Sequence, residues 1–200
     1  MSFDLRLVRY GPAGEERPGL IDDDGRLRDL SYVLMDIQAE ALDPDEIDIL
    51  RAIEPATLPL VPATPRLAAP VNGARITAID GASCLLRPIA VSDRPDGAPA
   101  RMGLAALNGA PARVTAYTSA LVADDRSWAA LGPWLVAFDP PLRPSRLKSA
   151  GRPLGFTAQT SILQSATAEA GDVSIVLCDP STPSGAWIDG FGPPQPLRPA

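Results

Sequence analysis

Apolar and polar positions alternate from the start of the chain. Phe3, Leu5 and Leu7 are spaced as in a half-buried strand, which runs on through Val8 to Tyr10. A turn-rich loop with Gly and Pro at its corners follows, GPAGEERPG. Pro18 to Ile21 then reads as a second strand, Asp23-Asp24-Gly25 as a hairpin turn, and Arg26 to Leu30 as a third strand. The period then changes. Ser31 can cap a short helix through Ala39. Asp43 can cap a second, with Pro44 at the first helical position, running to about Ile53. Ile47, Leu50 and Ile53 fall on one face of it. The run EPATLPLVPATPRLAAPVNG, residues 54–73, has no helical period and reads as an extended Pro-rich linker.

Beyond that run the pattern is one of short apolar strands. These are Ile76 to Ile79, CLLRP at 84–88, Met102 to Leu107, Val114 to Val122 and Gly132 to Phe138, with Asn108-Gly109 as a tight turn. Residues 147–156 are ambiguous. Gln159 to Glu169 reads as a helix closed by Ala170-Gly171, and Asp172 to Leu177 as a buried strand. The predicted organisation is a small β/helix module at 1–62, a linker at 63–75 and a larger β-rich domain at 76–200. The fold class is α+β.

Composition narrows the chemistry. The chain has 200 residues, 46% hydrophobic and 21% charged, as in a globular protein with a real core. Its 23 prolines favour loops and strand ends over long helices. The net charge of −6 comes with no basic cluster, which argues against a nucleic-acid partner. No apolar run reaches the roughly 18 residues of a membrane helix. Two cysteines, Cys84 and Cys178, form no CxxC, and no signal peptide opens the chain. Free thiols and a cytoplasmic location are expected. Histidine is absent, which removes Ser-His-Asp, Cys-His and His-zinc sites together.

Two stretches carry a family resemblance. RYGPAGEERPGLIDDDGRLRDLS, with RAIEPATLPLV further on, is similar to the opening LVRYGPxGxERPGLxDxxGxxRDLS of bacterial fumarylacetoacetate hydrolase family proteins. VTAYTSALVADDRSW followed by GPWLV resembles that family's YT-x3-D-x-S-x-R-x-W pattern. The resemblance implies a mixed β-roll. It also implies a Mg²⁺ or similar ion held by a Glu-x-Glu pair and an Asp, a His-x-x-Glu dyad on a lid, a substrate-binding lysine, and a GTxxG turn closing the pocket.

Carried over residue by residue, those groups are missing. Aligning Tyr117, Thr118, Arg126 and Trp128 puts Val122 at the metal-binding Asp. Aligning ARMGLAALNG with the family's EVELAVVIG puts Arg101 and Gly103 at the two glutamates. A hard cation needs oxygen ligands, and none of the three side chains supplies one. The lid that precedes the family's LFxKP strand, here CLLRP, has no counterpart, and the lysine-bearing GKSFDTF run is absent. AGDVSIVLCDPSTPSG keeps the GDV of PGDVISTGTPxG and loses its GT, of which Ser181-Thr182-Pro183-Ser184-Gly185 is an echo. No cofactor and no catalytic residue are therefore expected.

Other polar groups have simpler readings. Asp124-Asp125-Arg126 is a solvated turn with a local ion pair, Asp22-Asp23-Asp24 a hairpin turn, and Trp128 and Trp134 core or interface fillers. Cys178 lacks a base, and Lys148 lies on the wrong side of GPWLV to replace the family lysine. Two functional expectations follow. The first is a non-catalytic subunit, pairing with itself or with an active paralogue. The second is a metal-independent binder or enzyme for a small 2-oxo acid, holding the carboxylate with Arg87, Arg101 or Arg126. A third possibility is a decaying gene product.

Overall fold

The computed structural model describes residues 5–137, 147–157, 168–182 and 188–191. Thirteen short strands are described: β1 Leu5–Tyr10, β2 Arg17–Ile21, β3 Leu27–Asp29, β4 Arg75–Ile79, β5 Ala82–Leu86, β6 Ile89–Ala90, β7 Ala100–Ala110, β8 Arg113–Ala123, β9 Ala129–Leu131, β10 Leu135–Ala137, β11 Lys148–Ser149, β12 Arg152–Pro153 and β13 Asp172–Leu177. Among the described residues one α-helix, α1, spans Pro44–Arg51.

Eleven of the strands form one mixed sheet in the order β3-β2-β1-β10-β8-β7-β13-β4-β5, with β6 and β9 joined to it off that path. β4 pairs parallel with β13, and β6 with β9; the other pairs are antiparallel. The N-terminal hairpin is thus hydrogen-bonded into the main sheet, through Leu5, Arg6 and Leu7 against Ala137, Val136 and Leu135. The long β7–β8 hairpin is its centre and is buried along most of its length.

Both faces of the sheet carry an apolar core. One holds Leu7, Leu42, Ile47, Leu50, Ile76, Leu107, Val122 and Ile175. The other holds Val8, Tyr10, Leu104, Leu121, Trp134, Val176, Ile188 and Phe191. The split follows the period of two along each strand: Leu7 and Val8, or Leu121 and Val122, point to opposite faces. α1 closes the first face with Ile47 and Leu50. The Asp43 carboxylate accepts from the Asp45 amide at its N-terminus, and Pro44 opens the helix, as the sequence predicts.

Three expectations are corrected. Residues 31–39 form turns, not a helix. Tyr32, Val33 and Met35 are exposed, while Ile37 is fully buried in the core and Leu34 packs against it. Its backbone is set instead by Asp36, which accepts from Arg9, Asn72 and its neighbour's amide at Ile37. Asn108-Gly109 is not a turn. β7 runs on to Ala110 with register shifts, and the chain reverses at Pro111-Ala112. A Cβ at Gly109 would collide with the Leu42 carbonyl, so the glycine serves a close approach. The strand expected from Gly132 to Phe138 begins at Leu135, after the cis Gly132–Pro133 bond that separates it from β9.

The Pro-rich run is tied down along its length. Leu60 bridges Arg28, Leu67 bridges Tyr10, and Leu58, Ala68 and Val71 are buried. The ambiguous 147–156 region holds the β11–β12 hairpin. Most of the helix expected at 159–169 lies outside the described residues.

Candidate functional site

The positions the resemblance assigns to a metal lie together on the central hairpin. Arg101 and Val122 are direct cross-strand partners, and Gly103 sits two residues along from Arg101, opposite Ala120. All three therefore face one side of the sheet. A metal site here would need oxygen donors, and none of the three side chains carries one.

Each position is occupied in a way that excludes a cation. Val122 is buried within the apolar cluster that includes Ala120, Ala129, Leu131 and Leu177. Gly103 lies against β13. A Cβ there would come within 2.8 Å of the Val176 carbonyl oxygen and 2.9 Å of Ile175 Cγ2. The half-buried Arg101 turns its guanidinium to the end of β13, where Nη2 donates to the Cys178 carbonyl at 2.8 Å; its Nε is buried without a partner. A positive charge, a hydrogen and an isopropyl group do not fit Mg²⁺. Among the described residues no group of three or more Asp, Glu, Cys or His is placed to hold a metal ion.

β4 and β5, where the lid is expected, are joined by the two-residue turn Asp80-Gly81, with φ of 50° and 78°. The Asp80 carboxylate is spent on structure, accepting from the Leu177 amide and the Thr157 hydroxyl, both at 2.9 Å. Cys178 is buried next to Arg101. Burial first, then the charges of Asp179 and Asp80, push its thiol up to about 12 against the opposing pull of Arg101. It packs in the apolar cluster of the second face. Burial also raises the Cys84 thiol, and Arg126 pulls it the other way.

The three candidate arginines lie on separate elements. Arg101 is on β7. Arg126 is exposed on the β8–β9 turn at φ 56°, where Asp125 accepts from Ser127 instead of forming the local ion pair expected with the arginine. Arg87 is exposed just past β5 and lines a groove of about 570 Å³ with Arg9, Asn72 and Arg75. Neither Arg87 nor Arg126 has an ion-pair partner among the described residues. Lys148 is exposed on β11. Trp134 is buried and its indole N–H donates to the Gly190 carbonyl at 3.1 Å.

Sequence reasoning missed the charged network beside this groove. Arg9, nearly buried within β1, forks onto Asp36 with Nε–Oδ1 at 2.6 Å and Nη2–Oδ2 at 3.1 Å. It also approaches Glu16 at 3.6 Å. Arg66 links Glu16 at 3.3 Å to Asp93, whose carboxyl it holds below the usual range. The available signal was an arginine inside an otherwise apolar strand, since a buried cation needs a carboxylate.

With that geometry established, the chain can be set beside known proteins. No family model matches it. A protein of Burkholderia ambifaria (strain MC40-6) that is named as an inferred hydrolase is 51% identical over 68 residues, 34% of this chain and 24% of that protein. One of Burkholderia multivorans, named in the same way, is 49% identical over 68 residues. The match thus spans about a quarter of the length of these relatives. The fumarylacetoacetate hydrolase of the psychrophile Exiguobacterium antarcticum superposes with a TM-score of 0.56 at 16% identity, covering 94% of this chain and 96% of that one. The chain has the fumarylacetoacetate hydrolase-like fold, an α+β, sheet-rich mixed roll, and its resemblance to that family holds. No described helix is long and apolar enough to cross a membrane.

Proposed function

We propose that this chain is a non-catalytic, cytoplasmic relative of the 2-oxo-acid hydrolases and hydratases, acting as a structural or regulatory subunit. The observation that carries the proposal is the hairpin pair at Arg101, Gly103 and Val122. The three positions lie together on two paired strands, while Val122 packs an apolar face and Arg101 ties β7 to the end of β13. Histidine is absent, both thiols are raised by burial, and the nearby Asp80 carboxylate is committed to the Leu177 amide and the Thr157 hydroxyl, which supports the reading.

The test has two parts. Titration calorimetry with Mg²⁺ and Mn²⁺ should give no binding at the hairpin, with Val122→Ala leaving the trace unchanged. A tagged chain drawn from its native host and weighed intact should carry either a second copy or a full-length relative with the Glu-x-Glu and His-x-x-Glu motifs. Stoichiometric metal binding, or hydrolysis of an acylpyruvate by the purified chain, overturns the proposal.

A second reading rests on Arg87. It lines the groove with Arg9, Asn72 and Arg75, and no acidic side chain lines that groove. Arg9 and Arg75 are paired with Asp36 and Asp172, which leaves Arg87 as the cation open to a small 2-oxo carboxylate. Binding of such an acid that persists in EDTA and is lost in Arg87→Ala would favour it.

A further inference from the structure

The antiparallel register of β4 and β5 brings two arginines together. Ile76 lies opposite Leu86, so the next pair outward sets Arg75 opposite Arg87. Both side chains are exposed, and both line the groove of about 570 Å³. Like charges directly opposite each other on neighbouring strands are destabilising. Little in the chain offsets this pair. Arg75 gives only its Nη2 to Asp172, at 3.2 Å, and stays 53% exposed. Arg87 pairs with no carboxylate among the described residues. The third arginine of the groove, Arg9, is taken up by Asp36 and the Ala69 carbonyl. Two guanidiniums with unused donors therefore share one wall, and no acidic side chain lines the groove. An apolar surface adjoins them. Exposure alternates along the end of β5, and Leu85, on the same face as Arg87, is 75% exposed.

We propose that Arg75 and Arg87 clamp the phosphate group of a small phosphate monoester, whose organic part lies against Leu85. Each guanidinium presents a planar fork of donors. One carboxylate fills one such fork. A phosphate group carries nearly two negative charges and three terminal oxygens, so it can fill two forks at once and cancel the repulsion between them. The groove is of the size that takes a small molecule, and its walls at Leu85, Leu86, Val71 and Pro88 can cover an apolar group. This goes beyond the carboxylate reading of Arg87, which needs one arginine and no apolar contact, and does not rest on it.

The test is titration calorimetry of the full chain with phenyl phosphate, inorganic phosphate and pyruvate, each to about 10 mM, which reaches millimolar sites. Phenyl phosphate should bind saturably and more tightly than inorganic phosphate. Arg75→Gln and Arg87→Gln should each weaken it at least about ten-fold, the worth of one hydrogen bond to a charged group. Leu85→Ser should weaken phenyl phosphate and leave inorganic phosphate unchanged. Arg126→Gln, at the exposed arginine of the β8–β9 turn, should change neither. Circular dichroism checks that each variant is folded. Arg87→Gln, at an exposed and unpaired residue, keeps the test open if Arg75→Gln, which also loses Asp172, does not fold. No saturable binding of phenyl phosphate, binding no tighter than that of inorganic phosphate, or binding indifferent to Arg87→Gln overturns the proposal. Pyruvate separates the two readings of the groove. Pyruvate binding that is lost in Arg87→Gln and kept in Arg75→Gln, with no binding of phenyl phosphate, upholds the carboxylate reading and overturns this one.

Discussion

The groove beside Arg9 and the β7–β8 face at Arg101 both hold an arginine next to a buried apolar core, yet they are built in opposite ways. At the groove every buried charge has a partner: Arg9 with Asp36 and Glu16, Arg66 with Glu16 and Asp93. On the hairpin face the positions assigned to carboxylates hold Gly103 and Val122, and the remaining cation, Arg101, is turned to a backbone carbonyl. A network that fixes loops persists only while each member is satisfied. A ligand set for a cation must stay under-satisfied by protein so that the ion can fill it. Aliphatic packing at such positions carries no such standing cost.

Reversing one position on the hairpin face is the severest way to break that contrast. Val122→Asp would bury a carboxylate among Ala120, Ala129 and Leu131 and should destabilise the chain by about 3–5 kcal/mol. Urea denaturation measures this, and added Mg²⁺ should not restore the midpoint. Recovery with Mg²⁺ would mean that the metal geometry survives.

Removing the central cation of the groove comes next. Arg9→Ala removes the cation that forks onto Asp36 and should cost about 3 kcal/mol, together with faster amide exchange in residues 31–37, which Asp36 organises. Gly103→Ala forces a methyl group against Val176 and Ile175 and should cost about 2 kcal/mol, read from the same urea curves. A neutral outcome would show that β13 can move away from β7.

Asp22 sharpens the comparison through pH. Burial pushes its carboxyl up, but the Arg26 amide and the Arg28 guanidinium outweigh it and hold the group below the ordinary range. A depressed carboxyl contributes stability above its unfolded value, about 3.9, and loses it as pH falls through the folded value. Wild type should therefore exceed Asp22→Asn by about 1.5 kcal/mol at pH 6, and the gap should close below pH 3 in paired thermal melts. The smallest effect is Arg126→Ala. Exposed on a turn and unpaired among the described residues, it should change stability by less than about 0.5 kcal/mol.

These contrasts also mark what could be read from the sequence. The N-terminal strands, the Asp43 cap and β13 are legible because each is set by local period and turn chemistry. The shared face of Arg101, Gly103 and Val122 is legible because it needs only the register of two neighbouring strands. Residues 31–39 mislead because helical spacing is a local signal, while Asp36 is bound by Arg9 and Asn72 from distant parts of the chain. Asn108-Gly109 misleads for a related reason: the dipeptide favours a turn, but the glycine is placed by the approach of Leu42. The groove network is invisible for the same cause, since Arg9, Asp36, Arg66 and Asp93 come from four separate segments.

The position of β13 also bears on how the chain comes to be folded. It lies between β4 and β7, so a strand from residues 172–177 separates two that are made far earlier. Until it emerges from the ribosome, β4 and β7 each present an unpaired inner edge, and the parallel contact of Arg75 with Asp172 must close a loop of nearly half the chain. The nascent polypeptide therefore passes through a long interval in which two strands of its central sheet are open to wrong partners, and its yield in a cell should depend on chaperone supply more than its finished stability would suggest.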